Sequence, residues 1–336
     1  MSALRSTLFL AKGLREFTRG GYERAAKGFD NAAMERAAPL AGRRCMVTGA
    51  NQGLGYQTSL ELAKRGATLY MVCRNPERGR EAVERVRQDS GNPDVHLKIC
   101  DLASLAAIRA LAEEWLAGGQ PLDVLVNNAG HMLHERTPSA DGYESNFAVN
   151  TLASFALTAA LEPALHAAAG GARVVFVASG GQYNEPLVTD DLQAERLKKF
   201  DGIKQYSRDK RRQQVALAER FSERWAAAGH GSRAYAMHPG WTETEGVKTS
   251  IPGFYSAFKN RLRSLQQGCD TTVWLCVEDA AKLQPGAFYL DRQPQPKHLP
   301  LAGTKYTAAD VDALWRQLEA MATPAMPAAA AGGNAT

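Results

Sequence analysis

Seven short apolar runs punctuate the chain, and each gap between them is long enough for a helix. Cys45-Met-Val-Thr, Thr68-Leu-Tyr-Met-Val, Val95-His-Leu-Lys-Ile, Val124-Leu-Val, Val174-Val-Phe-Val, Ala234-Tyr-Ala-Met and Ala287-Phe-Tyr-Leu read as strands. The intervening segments are rich in Ala, Leu, Glu and Arg. Strict alternation of this kind predicts an α/β architecture, a parallel seven-stranded sheet doubly wound by helices on both faces. That single domain spans residues 41–303. Residues 304–322 predict one more helix, with Val311, Leu314, Trp315, Leu318 and Met321 on one side. The remainder, 323–336, is biased to Ala, Gly and Pro and reads as a disordered tail.

Residues 1–40 stand apart as an amphipathic extension. Leu4, Leu8, Ala11, Leu14 and Phe17 recur at helical spacing, with Arg5, Lys12, Arg15 and Arg19 between them. Such a segment can rest peripherally on a membrane surface, target an organelle such as the mitochondrion, or dock on its own domain as a native helix. Its apolar core is too short, and interrupted by Lys12, for a secretory signal.

Composition narrows the classes. With 336 residues, 45% hydrophobic and 22% charged, the chain can bury a sizeable core. A net charge of +5, without an aromatic-interleaved basic patch, gives no case for nucleic-acid binding. The five cysteines and seven histidines show no metal-ligand or disulfide spacing, so no metal is expected. Buried reduced thiols fit a cytoplasmic location. Whether the protein forms a homodimer is not set by the sequence.

The first strand runs into Thr48-Gly-Ala-Asn-Gln-Gly-Leu-Gly55, followed at once by helix-forming sequence. Residues without a Cβ at 49, 53 and 55 let the backbone turn tightly and approach a pyrophosphate at a helix N-terminus, the device of a Rossmann fold. Gly49, Asn51, Gln52, Gly53, Leu54 and Gly55 are therefore cofactor candidates. An NAD site would place an acidic residue at the end of the second strand to hold the ribose 2′-hydroxyl. This chain has Cys73-Arg74, with Arg78 a turn later. A guanidinium there suits a 2′-phosphate, so NADP(H) is the expected cofactor.

Tyr206 and Lys210 lie four residues apart in Tyr206-Ser-Arg-Asp-Lys210, downstream of the strand that ends on Ser179. On a helix they share one face. The ammonium is expected to lower the phenol's pKa from about 10, which suits acid–base work near neutrality.

Together with Asp101-Leu102, Asn127-Asn-Ala-Gly130, Asn150, Ser179 and Pro239-Gly240 with Thr244, these motifs resemble the short-chain dehydrogenases/reductases, in order and on matching elements over most of 42–291. Phe9-Leu-Ala-Lys-Gly-Leu-Arg-Glu-Phe, Phe200-Asp-Gly, His238-Pro-Gly-Trp241 and Gln267-Gly-Cys-Asp-Thr are similar to the retinol-dehydrogenase-like members. The resemblance implies a carbonyl/alcohol oxidoreductase with a small-molecule substrate. By it, Tyr206 passes the proton, Ser179 bonds the substrate oxygen, Lys210 lowers the Tyr206 pKa and holds the nicotinamide ribose, and Asn150 anchors a relay water. Asp101 and Leu102 would meet the adenine, and Asn127, Asn128, Ala129 and Gly130 the cofactor's middle. Pro239, Gly240 and Thr244 would fix the carboxamide. The gap from Ser179 to Tyr206 is long, and Ala178 stands where many relatives carry another serine.

Aromatic residues at Trp241, Phe254, Tyr255 and Phe258 suggest a pocket for a lipophilic carbonyl or alcohol, retinoid, steroid or prenyl-like. Two rivals stay open: a catalytically silent NADP-binding regulatory module, and a protochlorophyllide-reductase-like enzyme sharing the Tyr/Lys pair.

Overall fold

A computed structural model describes residues 2–327. The strands are β1 (Arg44–Thr48), β2 (Thr68–Cys73), β3 (Val95–Ile99), β4 (Val124–Asn127), β5 (Arg173–Val177), β6 (Arg233–Met237), β7 (Phe288–Leu290) and β8 (Gln293–Gln295). They form one sheet in the order β3-β2-β1-β4-β5-β6-β7-β8. The first seven run parallel and fall on the seven predicted runs; β8 returns antiparallel to β7. The eighth strand, Gln-Pro-Gln, carries no apolar run to announce it. Its position at the sheet edge tolerates a proline, which lacks a backbone donor.

Alternation along the strands divides the core in two. Met46, Leu125, Val174 and Phe176 face helices Leu105–Ala117, Ala153–Ala160 and Ala308–Ala322. Val47, Val126, Val175 and Tyr235 face Gly53–Lys64, Pro76–Ser90 and Leu265–Val277. All five cysteines are buried. The C-terminal helix begins at a Thr307/Asp310 capping box, later than the predicted 304, and buries Val311, Leu314, Trp315 and Leu318. The predicted tail is ordered at its start: Thr323–Ala325 forms a 3₁₀ turn with Ala325 fully buried in the core. The rest of that prediction, 328–336, lies outside the described residues.

The N-terminal segment docks on the domain. Helix Ser2–Lys12 runs into a π-helical turn, Gly13–Phe17, and after the cap residue Thr18 into helix Arg19–Ala26. Phe17 is fully buried, ringed by Tyr183, His238 and Trp241. Leu4, Leu10 and Leu14 remain exposed on the outer side. No helix among the described residues is long and apolar enough to cross a membrane.

Two buried arginines hold this segment. The Arg263 guanidinium donates to the carbonyls of Glu16, Phe17 and Thr18 and pairs with Asp291 at 2.5 and 2.9 Å. Arg292 pairs with Asp270 at 2.6 and 2.8 Å and donates to the Asp30 carbonyl and the Asn31 side chain. Asp291 and Arg292 are the two turn residues between β7 and β8, with φ of 50° and 59°. Left-handed backbone at a non-glycine residue costs about 1–3 kcal/mol, and here buried bidentate ion pairs over-determine it. Arg263→Ala should destabilise the protein by about 3–5 kcal/mol, because Asp291 would be left buried and unpaired. Denaturant unfolding checks this, with limited proteolysis expected to cut first within residues 2–35.

Candidate active site

β1 and β4 are neighbours whose following connections leave in opposite directions, so a crevice opens at their carboxyl ends, the usual ligand position in open α/β sheets. The cleft has a volume of about 810 Å³, within the range of small-molecule sites. The Thr48 hydroxyl fixes its floor, accepting from the backbone N–H of Asn128 and Ala129, each at 3.0 Å. Asn128 returns the tie, its Nδ2 donating to Thr48 O at 2.8 Å.

Gly49, Asn51, Gln52, Gly53, Leu54 and Gly55 line one end of this cleft with Arg74, Asp101 and Leu102. A Cβ at Gly55 would collide with the Gly49 carbonyl and stand 2.5 Å from Asn128 Nδ2, so only glycine permits the loop to close this tightly. Gln52 precedes helix Gly53–Lys64 without capping it by its side chain. The N–H groups of that first turn thus suit an anion. Arg74 is exposed at the end of β2 and lines the cleft. A dinucleotide phosphate fits this arrangement of bare N–H groups, close backbone and guanidinium. Asn128, Ala129, Gly130, Pro239, Gly240 and Thr244 line the middle and far wall. Asn127 does not: its side chain turns away and donates to Thr158 Oγ1 at 3.0 Å inside the core. Thr244 caps helix Glu245–Ser250, and the Asp101 carboxylate accepts from Ala103 N at 3.0 Å.

Ser179, Tyr206 and Lys210 converge across the same cleft. The Ser179 hydroxyl accepts from Gly181 N at 3.1 Å and faces the same cleft as the Tyr206 phenol. The Lys210 ammonium donates to Val177 O at 2.8 Å and lies 5.4 Å from the Tyr206 ring centre. The expected lowering of the phenol pKa does not hold for the protein's own groups. Burial pushes Tyr206 up to about 12, the Ser179 hydroxyl opposing and the Asp209 charge adding. Burial likewise takes Lys210 down to about 8, against the pull of Asp209. Spacing placed the two groups together, but desolvation sets the direction of both shifts.

Asn150 sits on a π-helical turn, Ala148–Leu152, and grips the His131 backbone from both sides: Oδ1 accepts from N and Nδ2 donates to O, each at 2.9 Å. A Cβ at Gly130 would stand 2.9 Å from Asn150 Oδ1 and 3.2 Å from Lys210 Nζ, so both polar groups face one point. Behind them lies Asp209, whose carboxylate accepts from Arg212 at 2.8 Å, Gln205 at 3.0 Å and Thr151 at 3.3 Å. It also stands 3.5 Å from Asn150 Nδ2. Burial raises its pKa against the Arg212 charge. Sequence reasoning passed over Asp209, although it sits inside the Tyr/Lys motif.

Of the predicted substrate residues, Trp241 and Phe254 line the cleft. Tyr255 and Phe258 do not. The Tyr255 hydroxyl donates to Glu243 at 3.0 Å, and Phe258 packs behind Trp241 and Phe254 with centroids 5.0 and 4.9 Å away. On helix Pro252–Phe258, position 254 turns inward and position 255 turns out. Phe9, His131 and Ile203, which the sequence reading missed, also line the cleft.

The family described as short chain dehydrogenase matches residues 43–188. Dehydrogenase/reductase SDR family member 12 of Bos taurus is 44% identical over 323 residues, covering 96% of this chain and 99% of the relative. The chain belongs to the short-chain dehydrogenase/reductase (SDR) family. Human retinol dehydrogenase 12 is 34% identical over 257 residues, 75% of this chain and 78% of that one. Among solved structures, an uncharacterized protein from Mycobacterium paratuberculosis superposes with a TM-score of 0.69 at 29% identity, covering 88% of this chain and 98% of that one. A Shigella flexneri protein assigned as a short chain dehydrogenase, complexed with NADP, shares the fold at a TM-score of 0.60 and 21% identity, over 77% of this chain and 100% of its own.

His238 joins this SDR cleft to the N-terminal segment. It is buried, its Nδ1 accepts from Gly240 N at 3.0 Å, and its ring meets the Phe17 ring edge-on at 4.3 Å. Burial first, then the Arg263 and Lys12 charges, hold its pKa well below the ordinary 6.5. Burial also depresses His131, His166 and His298. Below pH 6.5 the unfolded chain therefore binds protons that these side chains refuse in the native state, and stability falls as pH drops. Each such histidine contributes up to about 1.4 kcal/mol per pH unit. Between pH 6.5 and 5, a His238→Gln variant should lose stability with a shallower slope than the parent, by about that amount. Denaturant unfolding across this range checks it; parallel slopes would show that His238 takes a proton in the folded state.

Proposed function

We propose that this SDR is an NADP(H)-dependent oxidoreductase that interconverts a lipophilic carbonyl and its alcohol, with Tyr206 as the acid–base group. The observation that carries this reading is the convergence of Ser179, Tyr206 and Lys210 on one cleft, set between the glycine loop and an apolar wall. Bound along the cleft, NADPH would supply the hydride. The Ser179 hydroxyl, which accepts from Gly181 N, faces the cleft and would give its hydrogen to a carbonyl oxygen. Tyr206 then delivers a proton to that oxygen as it gains charge. Lys210, held by Val177 O, keeps a positive charge near the phenol, and Asn150 fixes the 130–131 backbone against it. Trp241, Phe254 and Ile251 line the remaining space and favour an apolar substrate. Similarity to a retinol dehydrogenase supports the same substrate class.

Arg74, at the end of a strand with no carboxylate in the position that would repel a 2′-phosphate, supports NADP(H) over NAD(H). Tyr206→Phe should lower turnover of an aldehyde or ketone by about 10²–10⁴-fold while NADPH binding survives. Steady-state kinetics beside NADPH fluorescence titration test this, and near-parental turnover would defeat the mechanism. Arg74→Ala should weaken NADPH by about 10–100-fold, the worth of a charge-assisted pair, and NADH far less. Equal losses for the two cofactors would remove the case for 2′-phosphate recognition.

A further inference from the structure

The N-terminal helix reaches the cleft itself. Phe9 projects from helix Ser2–Lys12 into the wall shared with Trp241, Phe254 and Asn184. Its ring centre lies 6.4 Å from Trp241 in an edge-to-face contact and 6.0 Å from the buried Phe17. Trp241 in turn meets Phe254 edge-on at 5.0 Å. Phe9, Trp241 and Phe254 therefore form one continuous apolar surface along the cleft, contributed by the N-terminal helix and the segment after β6.

The helix is fixed in that position from both sides. Arg5 donates to the Asn184 carbonyl at 3.0 Å and to Ala302 O at 2.8 Å, tying the helix to the loop that follows Ser179. Gly13 lies so close to Trp241 that a Cβ there would overlap the indole ring. Trp241 N donates to Phe17 O at 2.7 Å, closing the junction through the backbone. A contact this tight, with glycine at the point of approach, is a built wall rather than a loose cover.

We propose that the N-terminal segment is part of the substrate site and that Phe9 is a specificity-determining residue, packing against the apolar end of the substrate farthest from its carbonyl. This rests on the reading of a lipophilic carbonyl substrate. Short substrates fill the space near Tyr206 and never reach Phe9. Long-chain ones end against its ring.

The test compares butanal and dodecanal as substrates with NADPH for the parent, Phe9→Ala and Phe9→Leu proteins. Phe9→Ala should lower the dodecanal-to-butanal ratio of kcat/KM by about tenfold, through KM, as expected for losing the contact of one apolar ring. Phe9→Leu should recover most of the ratio, and NADPH affinity should stay within about twofold in both, well inside the tenfold that 1.4 kcal/mol represents. An unchanged ratio, or equal losses on both aldehydes, overturns the proposal, since a purely structural role would affect both alike. A separate readout needs no turnover. All five native cysteines are buried, so a Phe9→Cys variant can be labelled selectively with N-ethylmaleimide in the presence of NADP⁺. Protection by dodecanol and not by butanol supports the wall. Equal labelling with and without dodecanol overturns it. If the parent reduces neither aldehyde, the proposed function fails while this labelling still decides the role of Phe9.

Discussion

Five consecutive ionisable residues, Arg208 to Arg212, are buried on one helix, the last four almost completely, and much of the site is organised by the need to satisfy them. A buried charge without partners is expensive, so each recruits a different part of the chain. Lys210 takes the carbonyl of Val177 at the end of β5. Arg211 reaches the carbonyls of Lys297 and Thr304 and the side chains of Gln182 and His298, drawing the 297–304 segment over the helix. Arg212 bonds Asp209 and the carbonyls of Val188, Asp191 and Leu192, which pins the long loop after Ser179. The same desolvation that shifts Tyr206 and Lys210 thus fixes the loops that bound the cleft.

Arg263 plays the corresponding part at the N-terminus. Its guanidinium spans the carbonyls of Glu16, Phe17 and Thr18 and the Asp291 carboxylate, while its backbone N–H donates to Trp241 O at 2.7 Å. The extension, the β7–β8 turn and the segment after β6 therefore meet at one residue. That convergence explains why an amphipathic helix with the look of a membrane or targeting segment keeps Phe9, Gly13 and Phe17 against the domain. Its inner face answers to Trp241 and His238.

What was legible in the sequence is what local patterning encodes. The seven parallel strands follow from apolar runs, and the glycine loop from residues that alone fit their backbone. The Tyr206/Lys210 pair follows from helical spacing, and almost every proposed cofactor residue lies on the cleft. Illegible features depend on contacts distant in sequence or on solvation. Asn127 and Asn128 are adjacent, and only the strand's exit angle sends one to Thr158 and the other to the glycine loop. Phe254 and Tyr255 part company by the phase of a seven-residue helix. β8 is held by backbone pairing to β7, which leaves no mark on side-chain composition. The direction of the Tyr206 shift was missed because spacing reports proximity and says nothing of the water removed.

Burial also acts on the protonation of the two groups that the proposed chemistry uses. With Tyr206 at about 12 and Lys210 at about 8, both are protonated at neutral pH. A protonated phenol is the form that donates to a carbonyl oxygen. Alcohol oxidation would start from the phenolate, which burial disfavours. Asp209 works in the same sense on both neighbours, raising the phenol and raising the ammonium. Under the proposed chemistry, burial thus favours the protonated phenol, the form that acts as the acid when a carbonyl oxygen gains charge.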